Sequence, residues 1–358
     1  MRNTNIKKEY MKAVSRKKLA KGFLMLFVVT ALYGCKGTGE QNGEVANDKN
    51  SIETIELKLD MPVPESSTWN VAAQTFADQV NEKTQGRYQI KIHPNSELAG
   101  GNQSTALEMF QSGDIDITVH GVLTWAGADT RLSMPAMPFL FQGWDDVNKA
   151  LDGTGGEQLK VLVEENGAYA LGFGISGFRQ LFNNVREVKT VEDLRGVKMR
   201  VPGNSMYVDC FMDFGADPVT MNASELYSAL QTGSVDGQEN PADMTITQKF
   251  AEVVDYMTVW NYSCEPIILS VSAKCWDSLS EEDRVVFEEA AKAACAAQRK
   301  AAEEKDPEFM QQLIDDYDIQ IYYPDDKEIT TFKEAVQPLY EEYREIMGDE
   351  LYQAFGVQ

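Results

Sequence analysis

Three short stretches alternate apolar and polar side chains: IELKLD (55–60), YQIKI (88–92) and IDITV (115–119). Between the first two lies WNVAAQTFADQV (69–80), whose apolar residues recur at helical spacing. A second helical segment, through Leu107, precedes the third stretch. This strand–helix–strand–helix–strand order predicts a sheet with parallel pairs of strands that is covered by helices, which is an α/β fold.

Similar patterns continue along the chain. GVKMRV (196–201) predicts a strand, and NASE (222–225) is a capping-box pattern that predicts the start of a helix. A long helix is predicted from Ser280 onward, and we expect Pro307 to kink or break it because proline lacks the backbone N–H that a helix uses.

The first 34 residues are typical of an export signal. Eight basic residues precede an apolar run at 23–32, which is about half as long as the ~20 residues that a membrane-spanning helix needs. The run ends in LYGC (32–35), which resembles a bacterial lipobox, so Cys35 is predicted to be lipidated; an ordinary signal peptide with an unrelated cysteine is the alternative. Residues 35–52, rich in Gly, Asn, Glu and Asp, predict a flexible tether.

The chain is strongly acidic, with a net charge of −23. Removal of residues 1–34, which hold eight basic residues and one acidic residue, would change the net charge to about −30. The basic footprint of a nucleic-acid-binding protein is absent, so nucleic acid is not expected as a partner. Such a body also repels an anionic ligand, and a site for an acid therefore needs concentrated local positive charge.

Motifs for enzymatic chemistry are weak. GFGISG (172–177) matches GxGxxG, but the residues after it lack the helical spacing that a dinucleotide site requires. The histidines His93 and His120 have no metal-ligand spacing, and no GxSxG motif accompanies them. We therefore expect no catalytic residue, no metal site and no cofactor. Four cysteines without CxxC spacing are predicted to be buried small apolar residues: Cys210, Cys264, Cys275 and Cys295.

Separated motifs in the middle of the chain carry a resemblance to a known family. They are GFRQLFNN (177–184), DLRGVKMRVP (193–202), FGADP (214–218), ALQTG (229–233) and VDGQENP (235–241). Together they resemble the solute-binding subunits of tripartite ATP-independent periplasmic (TRAP) transporters, the DctP-like family. The likeness extends over the rest of the exported chain and includes FADQV (76–80), PFLF (138–141) and WDSL (276–279).

The resemblance implies a two-lobed, periplasmic-binding-protein-like α/β fold that closes on its ligand, with a long helix crossing both lobes. A length of about 320 exported residues also favours two lobes over a single core. Lobe I is predicted to comprise residues 53–175 and 266–305. Lobe II is predicted to comprise residues 176–265 and 306–358 and to end in helices.

The resemblance also implies which residues bind the ligand. Arg200 matches the family's arginine that holds the ligand carboxylate, Arg179 matches a second arginine, and Asn240 matches an asparagine of the QENP motif. A guanidinium offers a planar fork of donors to a carboxylate, and each charge-assisted hydrogen bond contributes roughly 1.5–3 kcal/mol. Structural ion pairs for the arginines and a turn position for Asn240 are the alternatives.

Further contacts to the ligand are predicted from position and side-chain chemistry. The family brings its first strand–helix loop to the ligand, and that loop matches residues 67–69 here. Trp69 suits either an apolar face of the ligand or the protein core, and Ala223 stands where many relatives have an aromatic residue. The residues predicted for these contacts are Glu239, as acceptor of a ligand hydroxyl, and Ser67, Thr68, Trp69, Asn222 and Trp125.

The sequence therefore predicts a lipid-anchored, monomeric solute-binding protein at the outer face of the cytoplasmic membrane or in the periplasm. It would capture a small organic acid anion and deliver it to TRAP permease subunits in the membrane. A sugar acid such as a hexuronate is favoured. A C4-dicarboxylate, whose second carboxylate Arg179 would hold, is the alternative. Two other classes stay open: a sensor lipoprotein that binds the same acid, and a secreted hydrolase of acidic glycans.

Overall fold

The computed structural model describes residues 54–357 of the chain. The strands are β1 (Ile55–Asp60), β2 (Tyr88–His93), β3 (Ile117–Gly121), β4 (Ala168–Asn183), β5 (Lys198–Val201), β6 (Asp217–Thr220), β7 (Gly237–Asn240), β8 (Tyr256–Ser272) and β9 (Gln320–Tyr322). The α-helices are α1 (Trp69–Lys83), α2 (Gln103–Gln111), α3 (Val122–Trp125), α4 (Trp144–Leu151), α5 (Thr154–Glu165), α6 (Ser205–Asp213), α7 (Ala223–Thr232), α8 (Ala242–Thr247), α9 (Ala273–Ser278), α10 (Glu281–Asp315), α11 (Asp326–Ala335), α12 (Gln337–Met347) and α13 (Asp349–Ala354). Short 3-10 helices cover Pro94–Ala99, Thr130–Ala136, Val191–Leu194 and Phe250–Val253.

The strands form one sheet in the order β2-β1-β3-β8-β4-β7-β5-β6, and β9 pairs with β8. Strand β1 is parallel to β2 and β3, and β5 is parallel to β6 and β7. The antiparallel strands β4 and β8 join these two parallel groups. The predicted α/β class, with parallel strands followed by helices, is confirmed.

Strands β4 and β8 are long, with 16 and 17 residues. Strand β8 pairs with β3 of one parallel group, β4 pairs with β7 of the other, and the two long strands pair with each other. Their pairing shifts register at three places, the last of them between Arg179 and Leu181. Such irregularities bend and twist a strand and re-aim its side chains. The motif GFGISG lies inside β4 and opens no helix, so it does not form a dinucleotide-binding loop.

Helix α10 is the predicted long helix, and it has 35 residues. Its first half, with Phe287 and Ala294, packs in an apolar cluster with β1 and α1. Its last turns, with Met310 and Leu313, pack in another cluster with α7 and the first residues of β8. A break at Pro307 is wrong, because the helix continues to Asp315. The buried contacts of Met310 and Leu313 hold the helical turns that follow the proline, at the cost of the missing N–H bond.

Local signals for helix starts are confirmed. Asn222 and Glu225 form the predicted capping box at the start of α7. The side chain of Ser280 accepts a hydrogen bond from the backbone N–H of Asp283 at the start of α10, at 3.2 Å. The domain boundaries that the sequence suggested stay a prediction.

The four predicted buried cysteines are all free and buried. Burial raises the pKa of each thiol, to about 12 for Cys275 and Cys295. They therefore stay protonated at neutral pH and act as small apolar side chains, as predicted.

The predicted signal sequence, Cys35 and the tether lie outside the described residues. Within residues 54–357, no helix combines the length and the apolar character needed to cross a bilayer.

Candidate functional site

A cavity lies at the carboxyl ends of the parallel strands, where ligands of α/β sheets usually bind. Its volume is about 30 Å³. Sites for small organic ligands usually have about 300–1,000 Å³, so the cavity must widen before an organic acid can enter. It is lined by Pro62, Trp69, Gln103, Leu123, Thr124, Arg179, Arg200, Pro202, Ala223, Asn240, Met244 and Glu265.

Arg200, at the end of β5, is buried and lines this cavity. Its Nε and Nη2 donate to the backbone carbonyl of Met221 at 3.0 and 2.8 Å. Among residues 54–357, no carboxylate lies within ion-pair distance of its guanidinium. Burial, which the charge of Glu239 opposes and the charge of Arg179 reinforces, lowers the pKa of Arg200 to about 10. A buried guanidinium without a carboxylate partner favours the binding of an anion.

Arg179 lies in β4 and is also buried, but it has carboxylate partners. Its Nε donates to Glu239 at 2.5 Å, its Nη1 donates to Glu265, and its Nη2 donates to the Asn240 side chain at 2.9 Å. Burial alone would lower the pKa of Arg179, but the two glutamates raise it well above its ordinary value. Arg179 therefore lines the cavity as one member of a buried charge cluster.

The members of this cluster differ in their access to the cavity. Asn240 and Glu265 line it, whereas Glu239 does not and is held by Arg179 and by the Tyr262 hydroxyl at 2.6 Å. The side chain of Asn240 accepts from Arg179 and donates to Gln238 at 2.5 Å. Glu239 thus lies behind the cavity wall, and the predicted contact of Glu239 with a ligand hydroxyl would require it to move.

Glu265 is a cavity residue that the sequence did not single out. It is 5% exposed, and burial raises the pKa of its carboxyl group, an effect that Arg179 opposes and Glu239 strengthens. The backbone N–H of Leu123 also donates to it. A side chain on Gly121 would place its Cβ 2.0 Å from Oε1 of Glu265, so glycine is needed there to leave room for the carboxylate. The pairing of β8 with β4 at Gly177 positions Glu265 and could not be deduced from local sequence.

The first loop after β1 contacts a second acid that the sequence did not single out. The Oδ2 atom of Asp243 accepts from the backbone N–H of Thr68 at 2.9 Å, from its hydroxyl at 2.5 Å and from the Ser67 hydroxyl at 3.2 Å. Trp69 is buried, lines the cavity and donates through Nε1 to Ser176 at 3.1 Å. Ser67 and Thr68 are thus beside the cavity, but their hydroxyl groups donate to Asp243.

Two further predicted contacts lie elsewhere. Asn222 caps α7 with its side chain, and its neighbour Ala223 lines the cavity instead. Trp125 is fully buried and packs edge to face on Phe110 at a ring distance of 5.9 Å. The structure therefore brings Arg200, Arg179, Asn240 and Trp69 together at the cavity but leaves Asn222 and Trp125 outside its lining.

His120 belongs to a separate buried polar cluster. Its Nε2 lies 2.8 Å from Oδ2 of Asp60, and the Ser96 hydroxyl donates to the same oxygen at 3.0 Å. Serine and histidine thus both contact the aspartate, and this differs from a triad in which histidine contacts the nucleophile. Within the described part of the chain, no group of three or more His, Cys, Asp or Glu residues is arranged to hold a metal ion.

Residues 60–346 match the sequence model of a family described as bacterial extracellular solute-binding protein, family 7. The 2,3-diketo-L-gulonate-binding periplasmic protein YiaO of Escherichia coli is 30% identical over 273 residues, which cover 76% of this chain and 81% of YiaO. The C4-dicarboxylate-binding protein DctB of Bacillus subtilis is 27% identical over 315 residues, which cover 88% of this chain and 89% of DctB.

The same likeness is present in three dimensions. A TRAP periplasmic solute-binding protein of a Polaromonas species, solved with bound D-erythronate, matches with a TM-score of 0.80 and 31% identity. The match covers 86% of this chain and 99% of that protein. The predicted two-lobed fold is thereby confirmed.

Proposed function

Because the chain belongs to family 7 of the bacterial extracellular solute-binding proteins, which serve TRAP transporters, we propose that its cavity captures a small organic acid through Arg200. Proteins of this family are extracytoplasmic binding components of transport systems and not enzymes. A secreted hydrolase is therefore not retained as an alternative.

The observation that supports this proposal most directly is the environment of Arg200. A cation taken out of water is unfavourable unless it is paired, and the described residues offer this guanidinium only a backbone carbonyl. A ligand carboxylate would supply the missing negative charge and would match the planar fork of donors. The negative body of the protein makes such a local positive group necessary for an anionic ligand.

We favour a sugar acid such as a hexuronate as the ligand. YiaO binds a keto sugar acid and the Polaromonas protein was solved with a sugar acid, whereas DctB binds C4-dicarboxylates. A dicarboxylate would need a second cation, and Arg179 already has two glutamate partners. The C4-dicarboxylate therefore stays the second candidate.

The proposal also includes the route to the membrane. Lipidation at Cys35 and a tether over residues 35–52 would keep a monomer at the outer face of the cytoplasmic membrane, beside the permease subunits that receive the acid. A sensor lipoprotein with the same ligand is distinguished by its partner: reconstituted permease subunits should take up the acid only when this protein is added.

The test is a thermal-shift screen of tether-free protein against organic acids, followed by calorimetry with the best ligand. Arg200→Ala should weaken its binding at least about tenfold, because at least one charge-assisted hydrogen bond of roughly 1.5–3 kcal/mol is lost. Arg200→Lys should restore only part of the affinity, since lysine has a charge without a fork.

Arg186→Ala is the matched control, because Arg186 is exposed and does not line the cavity. The affinity of the Arg186→Ala protein for the best ligand should equal that of the unsubstituted protein. Equal ligand shifts for Arg200→Ala and Arg186→Ala would contradict the assigned role of Arg200.

A further inference from the structure

The cavity contains a negative group as well as the two arginines. The two arginines and the two glutamates that contact Arg179 are buried in and behind its wall: Arg179, Arg200, Glu239 and Glu265. When all four are ionised, their charges sum to zero. A site with this balance differs from a simple cationic pocket, because any bound anion adds negative charge to a region screened from water.

The contacts within this group leave one cation for the ligand. All three guanidinium nitrogens of Arg179 donate to Glu239, Glu265 or Asn240. Among residues 54–357, Arg200 donates only to the carbonyl of Met221. One ligand carboxylate can therefore pair with Arg200, but a second would find a cation whose charge is already neutralised.

Glu265 is the charged group that the part of the ligand beyond its first carboxylate would contact. Of the two glutamates, Glu265 lines the cavity, and it shares this wall with Arg200. A carboxylate accepts hydrogen bonds from ligand hydroxyl or ammonium groups and repels a second ligand carboxylate, which is a repulsive element against the wrong ligand. Gly121 leaves the space that this carboxylate occupies.

We propose that Glu265 is a specificity-determining residue, which selects a monocarboxylate that carries hydrogen-bond donors and rejects the dicarboxylate of the same carbon chain. This inference rests on the proposed capture of an organic acid through Arg200 and narrows its ligand class. It predicts different affinities for two acids that share a carbon chain. One acid has a hydroxyl group, and the other a second carboxylate, at the end opposite the carboxylate that Arg200 would hold.

Matched ligand pairs provide the test. D-Erythronate and meso-tartrate, or D-galactonate and galactarate, share a carbon chain and differ in having one or two carboxylates. Calorimetry on the tether-free protein should give at least tenfold tighter binding of the monocarboxylate in the pair that binds best. L-Serine and L-glycerate, which share a three-carbon chain and differ in an ammonium or a hydroxyl group at C2, are compared in the same way to determine whether the accepted donor is an ammonium group rather than a hydroxyl.

Glu265→Gln should reduce the preference for the monocarboxylate at least fivefold, because the amide can still accept from Arg179 but no longer carries the repelling charge. Glu239→Gln removes the same charge behind the wall and should change the ratio less. The ratio of the affinities for the monocarboxylate and the dicarboxylate in the unsubstituted protein tests the inference even if either variant fails to fold.

The outcomes separate this inference from the proposed function. Tighter binding of the dicarboxylate, or an unchanged ratio in folded Glu265→Gln, would overturn the role of Glu265 while leaving organic-acid capture intact. A monocarboxylate that binds Arg200→Ala as tightly as the unsubstituted protein would overturn the proposed function. Binding of none of the acids would overturn both.

Discussion

Arg179 and Arg200 are both buried at the cavity, and the neighbours of each guanidinium give it a different role. Arg179 is surrounded by acceptors, so it orders Asn240 and holds Glu265 at the wall. Arg200 keeps donor capacity for a ligand. Residue type alone therefore does not identify a ligand-binding arginine; the carboxylates within reach decide it.

The space for Glu265 leads to a prediction at Gly121. Gly121→Ala would force its Cβ into the Glu265 carboxylate, with 2.0 Å to Oε1 and 2.8 Å to Cδ, and into the ring of Trp69 at 3.3 Å. We expect the free energy of unfolding to fall by about 1–3 kcal/mol, as for other overpacked cores, and ligand affinity to fall with it. Urea unfolding and calorimetry measure the two effects.

Gly143→Ala is the control for that substitution, because nothing lies within 4 Å of its Cβ position and its φ of 179° is open to any residue. Its unfolding midpoint should stay close to that of the unsubstituted protein. An unchanged midpoint for Gly121→Ala would show that the wall adjusts without cost.

Helix α10 stabilises β4 where the strand is irregular. The pairing of β4 with β8 shifts register between Ile175 and Gly177. There the buried amide of Gln298 accepts from the backbone N–H of Ile175 at 2.8 Å and donates to its carbonyl at 2.9 Å. One side chain of the helix thus satisfies both backbone groups of a strand residue at a bulge.

Gln298→Leu should therefore destabilise the protein by about 2–4 kcal/mol, because it leaves two buried backbone groups without partners. Chemical unfolding followed by circular dichroism measures the loss. Gln311→Leu makes the same substitution in the same helix at a residue whose amide donates to exposed Asp315, and it should change stability little. Equal stability of the two variants would refute the structural role of Gln298.

The elements that local sequence specifies were predictable, and those that depend on distant contacts were not. Helix α1 and the caps at Asn222 and Ser280 follow from spacing and side-chain chemistry within a few residues. The continuation of α10 through Pro307 depends on packing against residues near 230 and 257, which no local pattern reveals. The bulges of β4 depend in the same way on β8 and α10.

At the scale of the whole molecule, the cavity is closed by contacts between distant parts of the sheet. The loop after β1 meets Asp243 after β7, although β3, β8 and β4 lie between those strands. The family motifs singled out Arg200, Arg179 and Asn240, and the position of the first strand–helix loop singled out Trp69. Asp243 acquires its role through this contact and Glu265 through the pairing of β8 with β4, and neither long-range contact could be deduced from local sequence.

The contact between Thr68 and Asp243 can be used to test whether hydrogen bonds within the protein stabilise the closed state of the cavity. Thr68→Val removes the hydroxyl that donates to Asp243 at 2.5 Å and keeps the backbone donor. A hydrogen bond to a charged group contributes roughly 1.5–3 kcal/mol, and ligand affinity is reduced by any fall in the closed population. We expect the affinity for the best acid to fall about tenfold and the radius of gyration without ligand, from small-angle X-ray scattering, to increase.

Thr247→Val is the control, because Thr247 contacts the same carboxylate at 3.4 Å from within α8, and loss of this hydroxyl should alter neither the affinity nor the radius of gyration. A Thr68→Val protein that binds as tightly and is as compact as Thr247→Val would mean that strands β4 and β8, which join the two parallel groups, set the closed state rather than this loop contact.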